Sequence, residues 1–483
     1  MKAKRDLYKT GVAAPQQRAA SLSSVENAAA CRPPLQNLIQ IWLVLLALST
    51  LNLKLSTAFA QPVTKIAAGY RHSLFLKSDG SLWAMGGDDN GQLGDGSYNQ
   101  TNRPEQIVAN NVTAIAAGQS HSLFLESDGS LWAMGANFNG QLGDGTSVVQ
   151  SNWPEQILSS NVTAIVAGDT HSLFLKSDGS LWAMGNNQHG QLGDGTTYHI
   201  NLPDHIVAIN VTAIAAGSAH SLFLMSGGSL WGMGLNDVCQ LGDGTTHQTN
   251  QPEMIVASNV TAIAAGSAHS LFLKNDGSLW AMGGNVNGQL GDGTYWLSNV
   301  SKRPEQIVAS NVTAIAAGYS HSLFLKNDGS LWAMGYNGDG ELGDGTYSKT
   351  NRPEQIVASG VTAIAAGTLH SIFLKTDGSL WAMGANFDGQ LGDGTLNQTN
   401  RPQQIVVNSS YNQIFGQLLG GTNMQLSFVG VANASYALDR ASSLSPPNWI
   451  PQATNPAGSF GALVFTNPPD PATNNFWRIR SVP

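Results

Sequence analysis

Seven near-copies of one segment, each about fifty residues long, fill most of this chain and leave few folds open to it. One copy runs VTAIAAGQSHSLFLESDGSLWAMGANFNGQLGDGTSVVQSNWPEQILSSN, from Val112 to Asn161. A histidine marks the same point in every copy: His72, His121, His171, His220, His269, His321 and His370, spaced 49, 50, 49, 49, 52 and 49 residues apart. A fixed period of this size means one supersecondary unit per copy, none able to bury its apolar face alone. The copies must stack, and a repeated scaffold argues against a single catalytic cleft.

Each copy reads as short strands. VTAIAAG and HSLFL are β-rich runs, an Asp-Gly turn follows the second, and SLWAMG, a glycine-rich turn and PEQIV come next. Asp-Gly between apolar runs is a strong hairpin signal, because glycine accepts positive φ without a Cβ clash. It recurs in six copies, and only Gly227-Gly228 departs. Four strands per unit, no helical period and 54 glycines against 11% charged residues predict an all-β, seven-bladed β-propeller. Radial repetition also hides the sheet edges that would otherwise invite aggregation.

The repeated string AAG-x-x-H-S-L/I-F-L, then D-G-S-L-W-A-M-G, then N-G-Q-L-G-D-G resembles the regulator of chromosome condensation repeat over about residues 63–407. Neither a recurring Gly-Gly pair nor a Trp-Asp pair points to the other propeller families of similar period. One departure is constant: Met85, Met134, Met184, Met233, Met282, Met334 and Met383 stand where the family more often has an aromatic. That alters core packing, since methionine fills gaps flexibly, and leaves the fold intact.

Residues 38–48, LIQIWLVLLAL, follow scattered basic residues and precede Ala58-Phe59-Ala60, the order of a secretory signal peptide. Three domains are expected: a signal peptide over 1–60, the propeller over 61–407 and a small C-terminal β module over 408–483. Residues 1–60 hold 7 basic and 2 acidic side chains, so their loss leaves 16 Lys+Arg against 29 Asp+Glu, a net charge of −13. Such a chain is a poor nucleic-acid binder, because phosphate attraction supplies non-specific affinity. Cys31 leaves with the leader and Cys239 remains alone, so no internal disulfide staples the mature chain.

Residues present seven times read as framework. The tryptophans, Trp83 to Trp381, are expected between blades, and the histidines are expected to make structural hydrogen bonds. Equivalent points on neighbouring blades lie roughly 10 Å apart, too far to share one metal ion. The Asn/Asp-rich stretch Gly87–Asp95 is interrupted by GQLG as a calcium loop. No cofactor is expected. Variation among the copies gathers in three windows: two residues after AAG, the stretch after AMG, and the loop after GDGT. Loops that vary without costing core packing are where scaffolds place recognition. Large aromatics sit there or beside them: Tyr70, Phe138, Trp153, Tyr198, Tyr295, Trp296, Tyr319, Tyr336, Tyr347 and Phe387. These are the candidate binding residues, because aromatics anchor interfaces. His189, His199, His205 and His247 fall near Cys239 and are weaker candidates for a metal or pH-responsive patch, at spacings that match no ligand motif.

The tail breaks the period. Its alternation in Met424–Val429, Tyr436–Arg440 and Leu463–Thr466, punctuated by proline pairs, predicts a small β-sandwich. The order F-x-G, Y-x-L and F-W-R-I is similar to C-terminal modules of secreted proteins from environmental bacteria, which implies an accessory role. The leading functional expectation is an exported, non-catalytic, monomeric scaffold that grips a protein or cell-surface ligand through loops on one face, meeting the membrane only during export. The family includes a secreted bacterial β-lactamase inhibitory protein of propeller type that grips its target with one face. The alternatives are the family's guanine-nucleotide exchange and chromatin role, which the leader and the acidic charge oppose, and an extracellular enzyme, for which no nucleophile–base or metal constellation is visible.

Overall fold

The computed structural model describes residues 61–146, 149–295 and 301–405, together with six strands between Phe415 and Val482. The leader, its cleavage site and Trp296 lie outside the described residues.

The repeats fold into seven four-stranded antiparallel sheets, the blades of a β-propeller, with no helix among the described residues. In the first blade, β1 (Val63–Ala68), β2 (His72–Lys77), β3 (Leu82–Gly86) and β4 (Thr101–Val108) pair in chain order. The first strand of each blade lies innermost, touching the first strands of its neighbours, and β1 meets Val361–Ala366 of the seventh blade to close the ring. Every blade uses one contiguous stretch of chain. The seam between blades seven and one repeats the ordinary joint: Val112 N–H donates to Gly80 O at 3.0 Å, and Val63 N–H donates to Gly378 O at 3.3 Å. Ile405 shares an apolar cluster with Val63 at that seam without any strand pairing between them.

The Asp-Gly turns form as expected. Gly80 has φ +77° and donates its N–H to Lys77 O at 3.0 Å, while Asp79 Oδ1 accepts from Ser81 N–H at 3.0 Å. Positive φ is what glycine contributes here. The run HSLFL is buried on both faces because its strand is sandwiched between neighbouring blades. Leucines reach toward one neighbour and the phenylalanine and methionine toward the other, so Leu74, Leu76 and Leu82 of blade one pack with Phe124 and Met134 of blade two.

The tryptophans pack against the inter-blade clusters as expected, but at their edge rather than their centre. Trp83 is buried, but the other six are half-buried, each stacked on the phenylalanine of the neighbouring strand at 5.9–6.1 Å. In five blades a lysine Nζ covers the ring at 3.6–4.0 Å. The fully buried aromatic is the phenylalanine. Beyond the propeller, strands Phe415–Leu419, Asn423–Val429 and Ala462–Asn467 form one three-stranded sheet, and Ser435–Ala441, Ile450–Pro456 and Phe476–Val482 form another.

Candidate recognition face

Topology gathers all three variable windows at one end of the ring. Antiparallel pairing sets Ala68 opposite Ser73 and His72 opposite Gly86, so the loop after each first strand and the loop after each third strand emerge together. The opposite end carries the Asp-Gly turns and the short links between blades, which are nearly the same seven times. One face is varied and the other is monotonous.

The longer loop has a fixed frame. Gly91 N–H donates to Asp88 O, Gly94 N–H to Gly91 O, and Leu93 N–H to the Asp88 carboxylate, so the chain coils into successive tight turns. It then rests on the next blade: Gly96 N–H donates to Asn152 O at 2.9 Å, and a side chain on Gly94 would strike the Met134 sulfur. The seven methionines therefore pack directly on loop glycines. Variable side chains hang from a frame that both blades hold.

The candidate aromatics among the described residues fall on this face. Tyr70 and Tyr319 line the mouth of the central channel. Phe138, Tyr336 and Phe387 follow the third strand of their blades, while Tyr198, Tyr295 and Tyr347 lie further along the same loop. Tyr198 is the most open of them at 78% exposure, with Phe138 at 62%. Several also pack. Tyr295 donates its hydroxyl to Lys349 O at 3.1 Å, and Trp153, at the start of an outer strand, lies over Gly96 of the preceding blade. Tyr98 and Leu202, not among the candidates, are exposed on the same end. Tyr98 carried the same signal as the others, an aromatic in the loop after GDG.

The weaker candidates do not converge. His189 Nδ1 lies 3.2 Å from Gln248 Oε1, His199 Nδ1 accepts from Asn187 N–H at 3.2 Å, and His205 sits against Trp182 on an outer strand. His247 is in the exposed loop of the fourth blade, its own N–H bonded to Thr245 Oγ1 at 3.2 Å. Cys239 is buried at φ +62°, where the other copies have glycine. Among the described residues no group of three or more His, Cys, Asp or Glu is placed to hold a metal ion.

Beneath the face runs a ring of hydrogen bonds. Each repeated histidine bonds through Nε2 to the serine of the next blade at 2.8–2.9 Å, and His370 closes the ring on Ser73. Each serine spends its one proton on a loop carbonyl, as Ser122 does on Gln92 O at 2.7 Å. The histidine must therefore donate, which fixes the Nε2–H tautomer. The structural hydrogen bonds expected from the sequence are present at Nε2; all seven buried Nδ1 atoms lack a partner. Burial pushes these imidazoles down to about 3 or 4, with neighbouring histidines adding to the effect at His72, His171, His269 and His321.

Two acids stand where the other six copies have amides. Asn137 donates Nδ2 to Asp144 Oδ1 at 3.0 Å, whereas Asp88 in the first copy has no N–H to give, its Oδ2 lacks a partner, and burial pushes it up to about 7. Glu341 replaces a glutamine, accepts from Asp339 N–H at 3.0 Å and leaves Oε1 buried without a partner, so burial pushes it up to about 8. A folded value above the unfolded 4.5 means that the stabilisation is complete below about 4.5 and lost as pH rises through about 8. Glu341→Gln should therefore stabilise the protein increasingly between pH 6 and pH 9, by roughly 2–3 kcal/mol over that interval at about 1.36 kcal/mol per unit. Denaturant unfolding at both pH values checks this, and an advantage that does not change with pH would contradict it.

A family model described as RCC1-like domain matches residues 47–356, and models of the regulator of chromosome condensation (RCC1) repeat match residues 361–390 and 377–415. No curated protein is significantly similar in sequence. Among solved structures, human WBSCR16 is 25% identical with a TM-score of 0.60, covering 65% of this chain and 87% of its own. Prp20p from Saccharomyces cerevisiae, described with its binding properties to Gsp1p and histones, is 23% identical with a TM-score of 0.63, covering 74% and 89%. Yeast RCC1 (Prp20) bound to Kap60 is 22% identical with a TM-score of 0.62, covering 75% and 88%.

Proposed function

From the premise that this chain belongs to the RCC1-like domain family, we propose that it is an exported, non-catalytic scaffold that binds a protein through the varied face of its propeller. Binding and regulation are the general business of such propellers. The observation that carries the proposal is the split between the two ends: all three variable windows, with their exposed aromatics, share one end, and the other end repeats itself. Selection for folding alone would hold both ends equally constant, since both sets of loops close the same strands. Export rests on the Leu38–Leu48 apolar run and the Ala58-Phe59-Ala60 site.

The test uses full-length protein expressed with its leader and recovered from the culture medium. Its N-terminus should begin near Gln61, and it should capture a specific protein from the producing cells. Phe138→Ala and Tyr198→Ala should each weaken that capture by about 1–3 kcal/mol and leave thermal stability nearly unchanged. Asp128→Ala, on the opposite end, should leave capture intact. A second reading, a regulator of the exchange and chromatin type, draws on the fold shared with Prp20p. An intact Met1 terminus inside cells, with capture of a nucleotide-free small GTPase or of histones, would replace the first reading with the second.

A further inference from the structure

At the seam between the seventh and first blades, the varied face holds a pocket of about 300 Å³ lined by Tyr70, Arg71, Leu369, Phe387, Asp388 and Gln390. We infer that this pocket binds one neutral pyranose ring of a glycan, an inference that rests on the varied face being the recognition face. The volume is at the small end of ligand sites, which span about 300–1,000 Å³, so it suits a single ring better than an extended cofactor.

The walls supply the two things that a sugar needs. Phe387 presents an open aromatic surface at 56% exposure, and Tyr70 also lines the pocket, with the Arg71 guanidinium carbon 5.0 Å from its ring centre. In the same lining Arg71 Nε and Asp388 Oδ2 lie 3.6 Å apart, an open geometry that leaves donor and acceptor capacity on both groups. Asp388 is anchored through its backbone, its N–H donated to Gln390 Oε1 at 3.0 Å. Adjacent hydroxyls can accept from a guanidinium and donate to a carboxylate at once. A free anion would meet Asp388, with Asp89 also in electrostatic reach of the pair, and a free cation would meet Arg71. The pair favours a neutral partner that can do both.

The other six joints show that this seam is special. The equivalent of Arg71 is Ser120, Thr170, Ala219, Ala268, Ser320 or Leu369, and none of these carries charge. The seam also needs Gly87, whose φ lies outside the left-handed region. A Cβ there would meet Arg71 Cβ at 3.2 Å and Asp388 Cβ at 3.4 Å, so the glycine serves space rather than backbone torsion. Only the joint between the fourth and fifth blades shares that glycine, Gly284, and there the facing side chains are Ala268 and Val238. The framework tolerates bulk at this position, as Leu235 and Tyr336 stand at it in other blades.

The purified full chain should be titrated with methyl glucopyranoside, galactopyranoside and mannopyranoside, with acetate and inorganic phosphate as charged controls, by saturation-transfer NMR and calorimetry. At least one glycoside is expected to bind. Phe387→Ala and Gly87→Leu should each weaken it tenfold or more, Asp388→Asn should weaken it several-fold, and the melting temperature of Phe387→Ala should be unchanged. Equal glycoside binding by all variants, or binding of phosphate or acetate in preference to sugar, would overturn the inference. So would absence of glycoside binding; if capture of the protein partner through Phe138 and Tyr198 persists in that case, the proposed function stands while the sugar site falls. Glycoside binding that is lost in the pocket variants, with no protein partner captured, would leave the sugar site standing and the proposed function overturned.

Discussion

Acidification from pH 7 to about 4.5 is expected to unfold the propeller in one steep step. Seven imidazoles are buried neutral, with folded values near 3 or 4 against 6.5 when unfolded. A histidine whose folded value is depressed contributes its full stability above about 6.5 and loses it as pH falls toward the folded value, because the unfolded chain binds the proton first. Each costs about 1.36 kcal/mol per pH unit in that window, roughly 10 kcal/mol per unit for all seven. Asp88 and Glu341 act in the opposite direction: they are protonated in the fold before they are in the unfolded chain, and they offset two of the seven protons. The remaining slope, roughly 7 kcal/mol per pH unit, amounts over two units to about 14 kcal/mol, most of the stability of about 5–15 kcal/mol that ordinary domains have. The serines cannot relieve the charge by rotating, since each is committed to a loop carbonyl. Circular dichroism across pH, with proton uptake measured on unfolding, checks the expectation. His121→Gln, which keeps a donor toward Ser172, should reduce the uptake by one proton. A fold stable and flat in free energy from pH 6.5 to 4.5 would contradict it.

The fold was legible because the repeat states its own rules seven times. A fifty-residue period, an Asp-Gly turn at a fixed place and no helical spacing leave little besides a propeller, and the seven sheets follow it. The face was only half legible. Comparing copies locates the variable windows and suggests one binding face, but that all three share an end is fixed only by the pairing of Ala68 with Ser73 and His72 with Gly86. The seam pocket was not legible either, because Arg71 and Asp388 are 317 residues apart in the chain and meet only when the ring closes. Arg71 did carry a signal, as the one charge at its position in seven copies. Asp88 and Glu341 were similarly visible as acids among amides, although their cost appears only with burial.

The exchange of roles between tryptophan and phenylalanine leads to the second large effect. Composition favours Trp280 as the core residue, since indole is the larger surface. The structure gives that place to Phe272, fully buried among Leu222, Leu224, Val260 and Met282 at the joint of the fourth and fifth blades. Trp280 covers it from outside, stacked at 6.0 Å, with its N–H donated to Ser278 Oγ at 2.8 Å and Lys274 Nζ 3.9 Å above the ring. Removing Phe272 opens a cavity that neither blade can fill, because each strand is fixed by its ladder on both sides. Phe272→Ala should therefore cost about 3–5 kcal/mol. Trp280→Ala exposes the phenylalanine edge and removes a stack worth about 0.5–1.5 kcal/mol, with no sealed void, so its loss should be near 2 kcal/mol. The same order should hold at Phe124 and Trp132, where a glutamate replaces the covering lysine, because the cavity and not the cation decides it. Denaturant titration of the four variants measures this, and a larger loss at the tryptophans would return them to the core.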